Sequence, residues 1–156
     1  MFDTIATGGT FDILHRGHYM LLLKAFEVGK QVIIGISSDD YAAFKKKKVT
    51  NEYSVRLKNL KKFIQDKFNK TNYLIYELND FYGPTVLTRD VQAIVTTEAT
   101  KDNCIKINEL RKSKGMPQLE IIVVPLVEDQ EGKVISSTRI RDGEIDINGD
   151  KLISNI

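Results

Sequence analysis

Residues 5–18 have the sequence IATGGTFDILHRGH, and this stretch decides the fold. A short apolar run leads to the pair Gly8-Gly9, and a helical pattern over 19–27 begins just beyond them. Paired glycines favour a turn in which φ is positive or the backbone approaches a ligand closely. The free N–H groups and the dipole at the start of a helix favour an anion. The stretch therefore predicts a strand, a glycine turn and an anion-binding helix start, which His15 and His18 would face.

The remainder of the chain alternates between strand-like and helix-like patterns. Residues 31–37, QVIIGIS, form a nearly continuous apolar run, typical of a strand that is covered on both faces. Strands that alternate with helical crossovers predict a parallel sheet in an α/β fold. The predicted strands are 2–7, 31–37, 73–78, 91–96 and 119–127, and the predicted helices are 19–27, 41–44, 55–68 with Ser54 as its N-cap, and 98 to about 114.

The composition is that of a soluble globular protein, with 156 residues of which 42% are hydrophobic and 28% are charged. This length suits one domain, which we place at 1–156 because no linker, repeat or change in composition divides the chain. A net charge of +2 gives no support for nucleic-acid binding, and no apolar run approaches the ~18 residues of a membrane span. The single cysteine, Cys104, excludes a disulfide framework and a cysteine zinc site. We expect a cytoplasmic protein, with a monomer favoured over an oligomer.

A second phosphate-binding pattern lies near the C-terminus, where residues 135–141 have the sequence ISSTRIR. Three hydroxyl residues, 136–138, open a predicted helix, where side chains and backbone N–H groups can hold phosphate oxygens. Arg141 lies one turn beyond Ser137 and can return to the same phosphates, whereas Arg139 points elsewhere because residues two apart do not share a helix face. Taken alone, the run could equally be an N-cap cluster.

The first stretch, Gly9-Thr10-Phe11-Asp12-x-Leu14-His15-x-Gly17-His18, resembles the signature of the nucleotidyltransferase superfamily of cytidylyltransferases and adenylyltransferases, and 135–141 resembles its second signature. The resemblance implies a Rossmann-like, doubly wound parallel sheet of about five strands in the order 3-2-1-4-5, with strand one at the switch point. ATP would lie across one crevice, and a substrate phosphate would attack its α-phosphate and release pyrophosphate. The implied ATP- and phosphate-binding residues are Gly9, Thr10, Phe11, His15, His18, Ser136, Ser137, Thr138 and Arg141.

His18 is the catalytic residue that this resemblance implies, as a hydrogen-bond donor to the α-phosphate oxygens. An ionised acceptor phosphate needs no covalent nucleophile, so alignment and stabilisation of charge suffice. Mg²⁺ is expected to arrive on the triphosphate without a metal site in the protein, because the sequence contains no dedicated carboxylate cage. Asp12, the obvious carboxylate, is expected to fix the turn by accepting backbone N–H bonds.

Weaker patterns indicate the identity of the acceptor, which is the substrate whose phosphate would attack ATP. The run Tyr53-x-x-Arg56-Leu57-Lys58-Asn59-Leu60, the turn Asp80-x-Tyr82-Gly83-Pro84 and the run 136–146 resemble phosphopantetheine adenylyltransferases of the archaeal and eukaryotic type. Thr96-Thr97-Glu98 replaces the arginine-glycine pair of the bacterial type, which favours the same family. The implied acceptor is 4′-phosphopantetheine, which would become dephospho-coenzyme A. Its implied contacts are Thr10, Arg56, Tyr82 and one of the lysines Lys45, Lys46, Lys47 and Lys48.

Each of these acceptor contacts also has a plain structural interpretation, as a solvated lysine run, an arginine on a helix surface, or aromatic rings under a turn. Another superfamily member could act on nicotinamide mononucleotide, flavin mononucleotide or a polyol phosphate, although the Arg-Thr-x-Gly-Ile-Ser-Thr-Thr form of cytidylyltransferases is absent before Ser136. A nucleotide-sensing module without turnover would keep the fold but erode one histidine, and both are present. Neither Gly-x-Gly-x-x-Gly nor a Walker A motif occurs, which disfavours dinucleotide redox chemistry and P-loop hydrolysis.

Overall fold

The computed structural model describes residues 1–83 and 88–152. Within them, five parallel strands form one sheet: β1 (Phe2–Gly9), β2 (Gly29–Ser37), β3 (Tyr73–Leu78), β4 (Ala93–Thr97) and β5 (Glu120–Val124). Their order across the sheet is β3-β2-β1-β4-β5, which confirms the predicted order. Because β1 pairs with both β2 and β4, the winding reverses beside it, and ligands bind at such a switch point beyond the carboxyl ends of the strands.

Helices pack on both faces of this sheet. They are α1 (Arg16–Val28), α2 (Asp39–Phe44), α3 (Tyr53–Phe68), α4 (Lys101–Ser113) and α5 (Ser137–Arg141). Leu22 of α1 and Leu60 of α3 belong to one buried cluster with Ile34 of β2. Cys104 of α4 belongs to a second cluster with Ile33, whose side chain points to the opposite face because successive strand residues alternate. Burial raises the pKa of the Cys104 thiol, which suits a cysteine that packs in the core.

The first strand is longer than predicted and includes both glycines. β1 extends to Gly9, so the predicted turn at Gly8 and Gly9 is wrong, and the positive φ falls instead on Phe11, at 52°. A Cβ on Gly8 would lie 3.2 Å from the carbonyl oxygen of Gly35 on β2. The close approach of two strands therefore favours glycine at this position, not the conformation of a turn.

The start of α3 and the end of β5 also differ from the prediction. The prediction of Ser54 as the N-cap of α3 is wrong, because α3 begins at Tyr53 with Glu52 in the N-cap position. The Ser54 hydroxyl instead donates to the Glu52 carboxylate at 3.1 Å. β5 ends at Val124, short of the predicted residue 127, because Pro125 has no N–H with which to extend the ladder.

The C-terminal tail packs against the start of α1. The backbone N–H of Arg16 donates to the carbonyl oxygen of Ile147 at 3.2 Å, and Ile145 is buried. The contact satisfies one of the N–H groups that a helix start leaves unpaired. Pro84, which belongs to one of the patterns quoted for the acceptor, lies outside the described residues. In the part of the chain that is described, no helix has the length and apolar character needed to cross a membrane.

Candidate active site

A cavity of about 700 Å³ opens at the carboxyl ends of β1, β4 and β5, beside the loop that follows α2. Residues from both sequence motifs line it, as does the lysine run. The predicted ligand-binding residues among its lining are Gly9, Thr10, Phe11, His15, His18, Lys45, Lys46, Lys47, Lys48, Ser136, Ser137, Thr138 and Arg141. The fold thus brings together all of the predicted phosphate-binding residues from two stretches that lie more than a hundred residues apart in the chain.

His15 and His18 form a reciprocal cap at the start of α1. His15 is the N-cap residue, and its Nδ1 accepts the backbone N–H of Gly17 at 3.0 Å. The Nδ1 of His18 accepts the backbone N–H of His15 at 3.3 Å, and the two rings stack with their centroids 3.9 Å apart. Since each Nδ1 is an acceptor, a neutral ring must carry its proton on Nε2. Each imidazole therefore keeps one N–H donor for a ligand.

Both histidines are uncharged at neutral pH. Burial lowers the pKa of His15 to about 4. Burial, together with the repulsion that a protonated His15 would exert and the charge of Lys47, lowers the pKa of His18 well below its usual 6.5. Gly17 is required beside this pair, because a Cβ there would lie 2.8 Å from Cε1 of His15. The helix start therefore presents neutral N–H donors to the cavity, next to the positive charge of Lys47.

The second motif is bonded directly to the first. Ser136 caps α5 by accepting the N–H of Arg139 at 3.2 Å, and the Ser137 hydroxyl donates to the carbonyl oxygen of Ile13 at 3.0 Å. Arg141 forms an ion pair with Asp12. The starts of α1 and α5, both predicted to bind an anion, are thus held at one cavity by side-chain bonds as well as by the sheet.

Asp12 also joins the loop after the lysine run to these motifs. Its carboxylate accepts the backbone N–H groups of Thr50 at 2.8 Å and of Asn51 at 2.9 Å. Burial alone would raise the pKa of Asp12, but the bonds from Thr50, Asn51 and Arg141 outweigh it and lower the pKa below the usual value. The prediction that Asp12 accepts backbone N–H bonds is confirmed, although the donors belong to a distant loop and not to its own turn.

Lys45 is the lysine that contacts the first motif. Its Nζ donates to the Ser37 hydroxyl at 2.8 Å and to the Thr10 hydroxyl at 3.4 Å. Burial, together with the charges of Lys47 and Arg56, lowers the pKa of Lys45 to about 8. The sequence could not choose among four consecutive lysines, whereas the geometry places Lys45 against Thr10.

Arg56 and Tyr82, both predicted to contact the acceptor, do not line the cavity. Arg56 is fully buried, and its guanidinium donates to backbone carbonyls beneath the site, so the expectation of an arginine on the surface of α3 is wrong. Tyr82 lies against the ring of Phe81, with centroids 4.0 Å apart, and packs with the cluster that contains Ile33. Tyr82 therefore fits its plain structural interpretation, an aromatic ring packed under a turn, whereas Arg56 has a buried structural role that differs from both interpretations given for it.

The sequence-based prediction of the site did not include several residues that line the cavity. Thr96 and Thr97 end β4, Thr100 follows it, and residues 125–127 follow β5. The rule that ligands bind beyond the carboxyl ends of parallel strands could have identified them. The hydroxyls of Thr96 and Thr100 lie 2.6 Å apart and form one polar wall of the cavity.

The donor set of the cavity is suited to phosphate oxygens. Hydroxyls, backbone N–H groups, two neutral imidazoles, lysines and an arginine surround it. Among residues 1–83 and 88–152, no three histidine, cysteine or carboxylate side chains are grouped so that they could hold a metal ion. Two carboxylates line the cavity, those of Asp12 and Asp142, and Asp12 is already engaged by three donors.

Residues 6–143 match the sequence profile of a family described as cytidylyltransferase-like. The chain is 43% identical over 145 residues to the phosphopantetheine adenylyltransferase of Methanothermobacter thermautotrophicus, with 93% of this chain and 87% of that protein covered. It is also 43% identical over 148 residues to the phosphopantetheine adenylyltransferase of Pyrococcus abyssi, with 93% and 92% covered.

Solved structures show the same fold. A protein of unknown function from Archaeoglobus fulgidus superposes with a TM-score of 0.71 at 28% identity, covering 79% of this chain and 89% of that one. A tyrosyl-tRNA synthetase from the same organism superposes with a TM-score of 0.66 at 15% identity, over 88% of this chain and 59% of its own, which is a likeness of fold alone. On the family match and the identities to its relatives, the chain is a nucleotidyltransferase that belongs to the cytidylyltransferase-like family and, within it, to the phosphopantetheine adenylyltransferases.

Proposed function

We propose that this chain transfers the adenylyl group of ATP to 4′-phosphopantetheine, giving dephospho-coenzyme A and pyrophosphate, a step of coenzyme A biosynthesis. The observation that carries the proposal is the single cavity in which two neutral histidines, a hydroxyl-rich helix start and Lys45 meet. The relatives at about 40% identity, which are phosphopantetheine adenylyltransferases, support the choice of acceptor.

The reaction needs no proton transfer from the acceptor. An ionised phosphate oxygen of the acceptor forms a bond to the α-phosphorus of ATP, and the bond from that phosphorus to the bridging oxygen of the β-phosphate breaks. The bonding electron pair leaves with pyrophosphate. The protein's task is therefore to align the two phosphates and to stabilise the charge that shifts onto the leaving group.

The Nε2–H of His18 is the donor that we assign to the α-phosphate, with His15 stacked beside it. Gly9, Thr10 and Phe11 supply backbone at the same edge of the cavity. The hydroxyls and N–H groups of residues 136–138, with Arg141, face the β- and γ-phosphates in this assignment. Mg²⁺ would reach the cavity on the triphosphate, whose oxygens would supply most of its ligands, and would neutralise part of the phosphate charge.

Lys45 and Thr10 are the pair that we assign to the phosphate of the acceptor. They lie side by side, because Lys45 donates to the Thr10 hydroxyl, and a dianionic phosphate could replace that contact with a stronger charge-assisted bond to each. The other three lysines line the cavity and add positive potential without a bond of their own to Thr10. The run thus contains one positioned lysine and three that contribute charge.

A panel of acceptors tests the proposed function most simply. The protein is incubated with ATP, Mg²⁺ and 4′-phosphopantetheine, nicotinamide mononucleotide, flavin mononucleotide or glycerol 3-phosphate, and the release of pyrophosphate is followed. We expect release with 4′-phosphopantetheine alone. Release with another acceptor in its place would overturn the choice of acceptor, and the absence of release with every acceptor would favour a sensing module.

Removal of the His18 imidazole is expected to lower kcat by about 10²–10³, the usual effect of losing one donor that stabilises transition-state charge. ATP should still bind to His18→Ala, because the remaining phosphate contacts are unchanged, and calorimetry with a non-reactive ATP analogue can measure that affinity.

His18→Asn is the matched control, because an asparagine oxygen can still accept the N–H of His15 and keep the cap. We expect a loss of kcat in His18→Asn that is close to that of His18→Ala. If the asparagine restored kcat to nearly normal, the cap of α1 and not the Nε2–H donor would be the role of His18.

The two histidines are also expected to remain neutral Nε2–H tautomers in the free protein. The pKa of His15 is lowered to about 4 and that of His18 well below 6.5, so neither ring should titrate in the range usual for a free imidazole, near pH 6.5. Long-range ¹H–¹⁵N correlation of the imidazoles gives both the tautomer and the charge, and the chain contains two histidines to assign. A ring that titrates near pH 6.5, or that carries its proton on Nδ1, would contradict the neutral-donor role.

A further inference from the structure

Arg56 lies in the first turn of α3, directly beneath the part of the cavity that Lys45 and Thr10 form. Its side chain is fully buried, at 0% exposure. Its guanidinium donates from Nη1 to the carbonyl oxygens of Thr10 at 2.9 Å and Ser37 at 2.7 Å, and its Nε donates to that of Asn51 at 3.0 Å. One side chain therefore fixes the backbone of three segments that are far apart in the sequence.

The three residues whose carbonyls Arg56 holds also make contacts that position Lys45 and Asp12. The hydroxyls of Thr10 and Ser37 are the two acceptors of the Lys45 ammonium, at 3.4 and 2.8 Å. Asn51 donates its backbone N–H to the carboxylate of Asp12 at 2.9 Å. If the carbonyls moved, the hydroxyls on the same residues would move with them, and Lys45 would lose its place.

The structure assigns Arg56 as a positioning residue for the acceptor phosphate, one that acts through Thr10 and Ser37 on Lys45 and does not touch a substrate. This role rests on the proposed function, because it presumes that Lys45 and Thr10 hold the acceptor phosphate. It corrects the sequence-based expectation that Arg56 itself contacts the acceptor.

The shape and charge of arginine both suit this task. A planar guanidinium has five N–H donors in a fixed fork and can hold several carbonyls at once, whereas a lysine ammonium is a compact point charge on a flexible stem. The carboxylate that pairs with Arg56 is that of Asp39, at 2.8 Å, and it is 53% exposed, so solvent screens it. The buried positive charge therefore also acts on the cavity above it, and it contributes to the lowered pKa of Lys45.

Arg111 of α4 is a matched control within the same chain. It too is at 0% exposure, and its guanidinium donates to the carbonyl oxygens of Thr88 at 2.9 Å, Val91 at 3.2 Å and Pro117 at 2.8 Å. Arg111 does not line the cavity, and neither do its three carbonyl partners. Replacement of either arginine by lysine therefore removes a comparable clamp, but only one of the two clamps supports the acceptor pair.

The experiment compares Arg56→Lys with Arg111→Lys. Urea unfolding measures the stability that each variant loses, and steady-state kinetics are recorded where both remain folded. We expect similar losses of stability in the two variants. In Arg56→Lys the KM for the acceptor should rise at least about tenfold, because a displaced contact of about 1 Å can cost a factor of this order or more. The KM for ATP should change little in either variant, and Arg111→Lys should keep the acceptor KM of the parent protein.

Equal kinetic effects in the two variants, or an equal rise of both KM values in Arg56→Lys, would overturn the positioning role. Ser37→Ala is a second variant that does not disturb the buried charge, because it removes only a hydroxyl, which anchors Lys45 at 2.8 Å and donates to the carbonyl oxygen of Gly9 at 3.4 Å. It should raise the acceptor KM in the same selective way, and an unchanged KM would also overturn the role. Turnover of the parent protein in the same assay tests the proposed function separately, and if it uses a different acceptor, the KM of that acceptor is the quantity compared.

Discussion

The arrangement of the cavity depends on one buried carboxylate, that of Asp12, which is 3% exposed. It accepts bonds from the backbone of Thr50 and Asn51 and pairs with Arg141. A buried charge costs several kcal/mol of desolvation, on the order of what three good donors restore, and the loss of one partner leaves it uncompensated. Asp12 therefore fixes the position of the first motif relative to the second motif and to the loop that follows the lysines. The chemistry of the cavity is a consequence of that constraint.

The two histidines show how local structure sets the chemical state of a side chain. Each Nδ1 is occupied by a backbone N–H, so the tautomer follows from the cap of α1. Stacked at 3.9 Å, two protonated rings would repel each other, and burial together with Lys47 further disfavours the charge. A reaction whose nucleophile is already ionised needs no base. Imidazoles that stay neutral and donate Nε2–H hydrogen bonds therefore suit this reaction. The family to which the chain belongs, the topology of the sheet and the donor set of the cavity are therefore mutually consistent.

Much of this arrangement follows from the sequence, because the relevant patterns are local. β3 over Tyr73–Leu78 follows from a hydrophobic run, and the two motifs are recognised by spacing over a few residues. The order of the strands in the sheet follows from the family that those motifs resemble. The features that were predicted wrongly depend on contacts between segments that are distant in the sequence. A Cβ on Gly8 would crowd Gly35 on the neighbouring strand, which favours glycine there. Arg56 is buried because three separate segments direct carbonyls at it. The choice of Lys45 among four lysines likewise depends on Ser37, which no periodicity could reveal.

We infer that both motifs hold one triphosphate while Lys45 and Thr10 hold the acceptor phosphate. A crystal structure with α,β-methylene ATP, Mg²⁺ and 4′-phosphopantetheine is the sharpest test of this arrangement. We expect Nε2 of His18 within hydrogen-bond distance, ~3 Å, of an α-phosphate oxygen. We also expect the β- and γ-phosphates at residues 136–141 and the acceptor phosphate on Lys45 and Thr10. A triphosphate bound away from either motif, or an acceptor phosphate held by other residues with Lys45 still bonded to Ser37 and Thr10 alone, would contradict it.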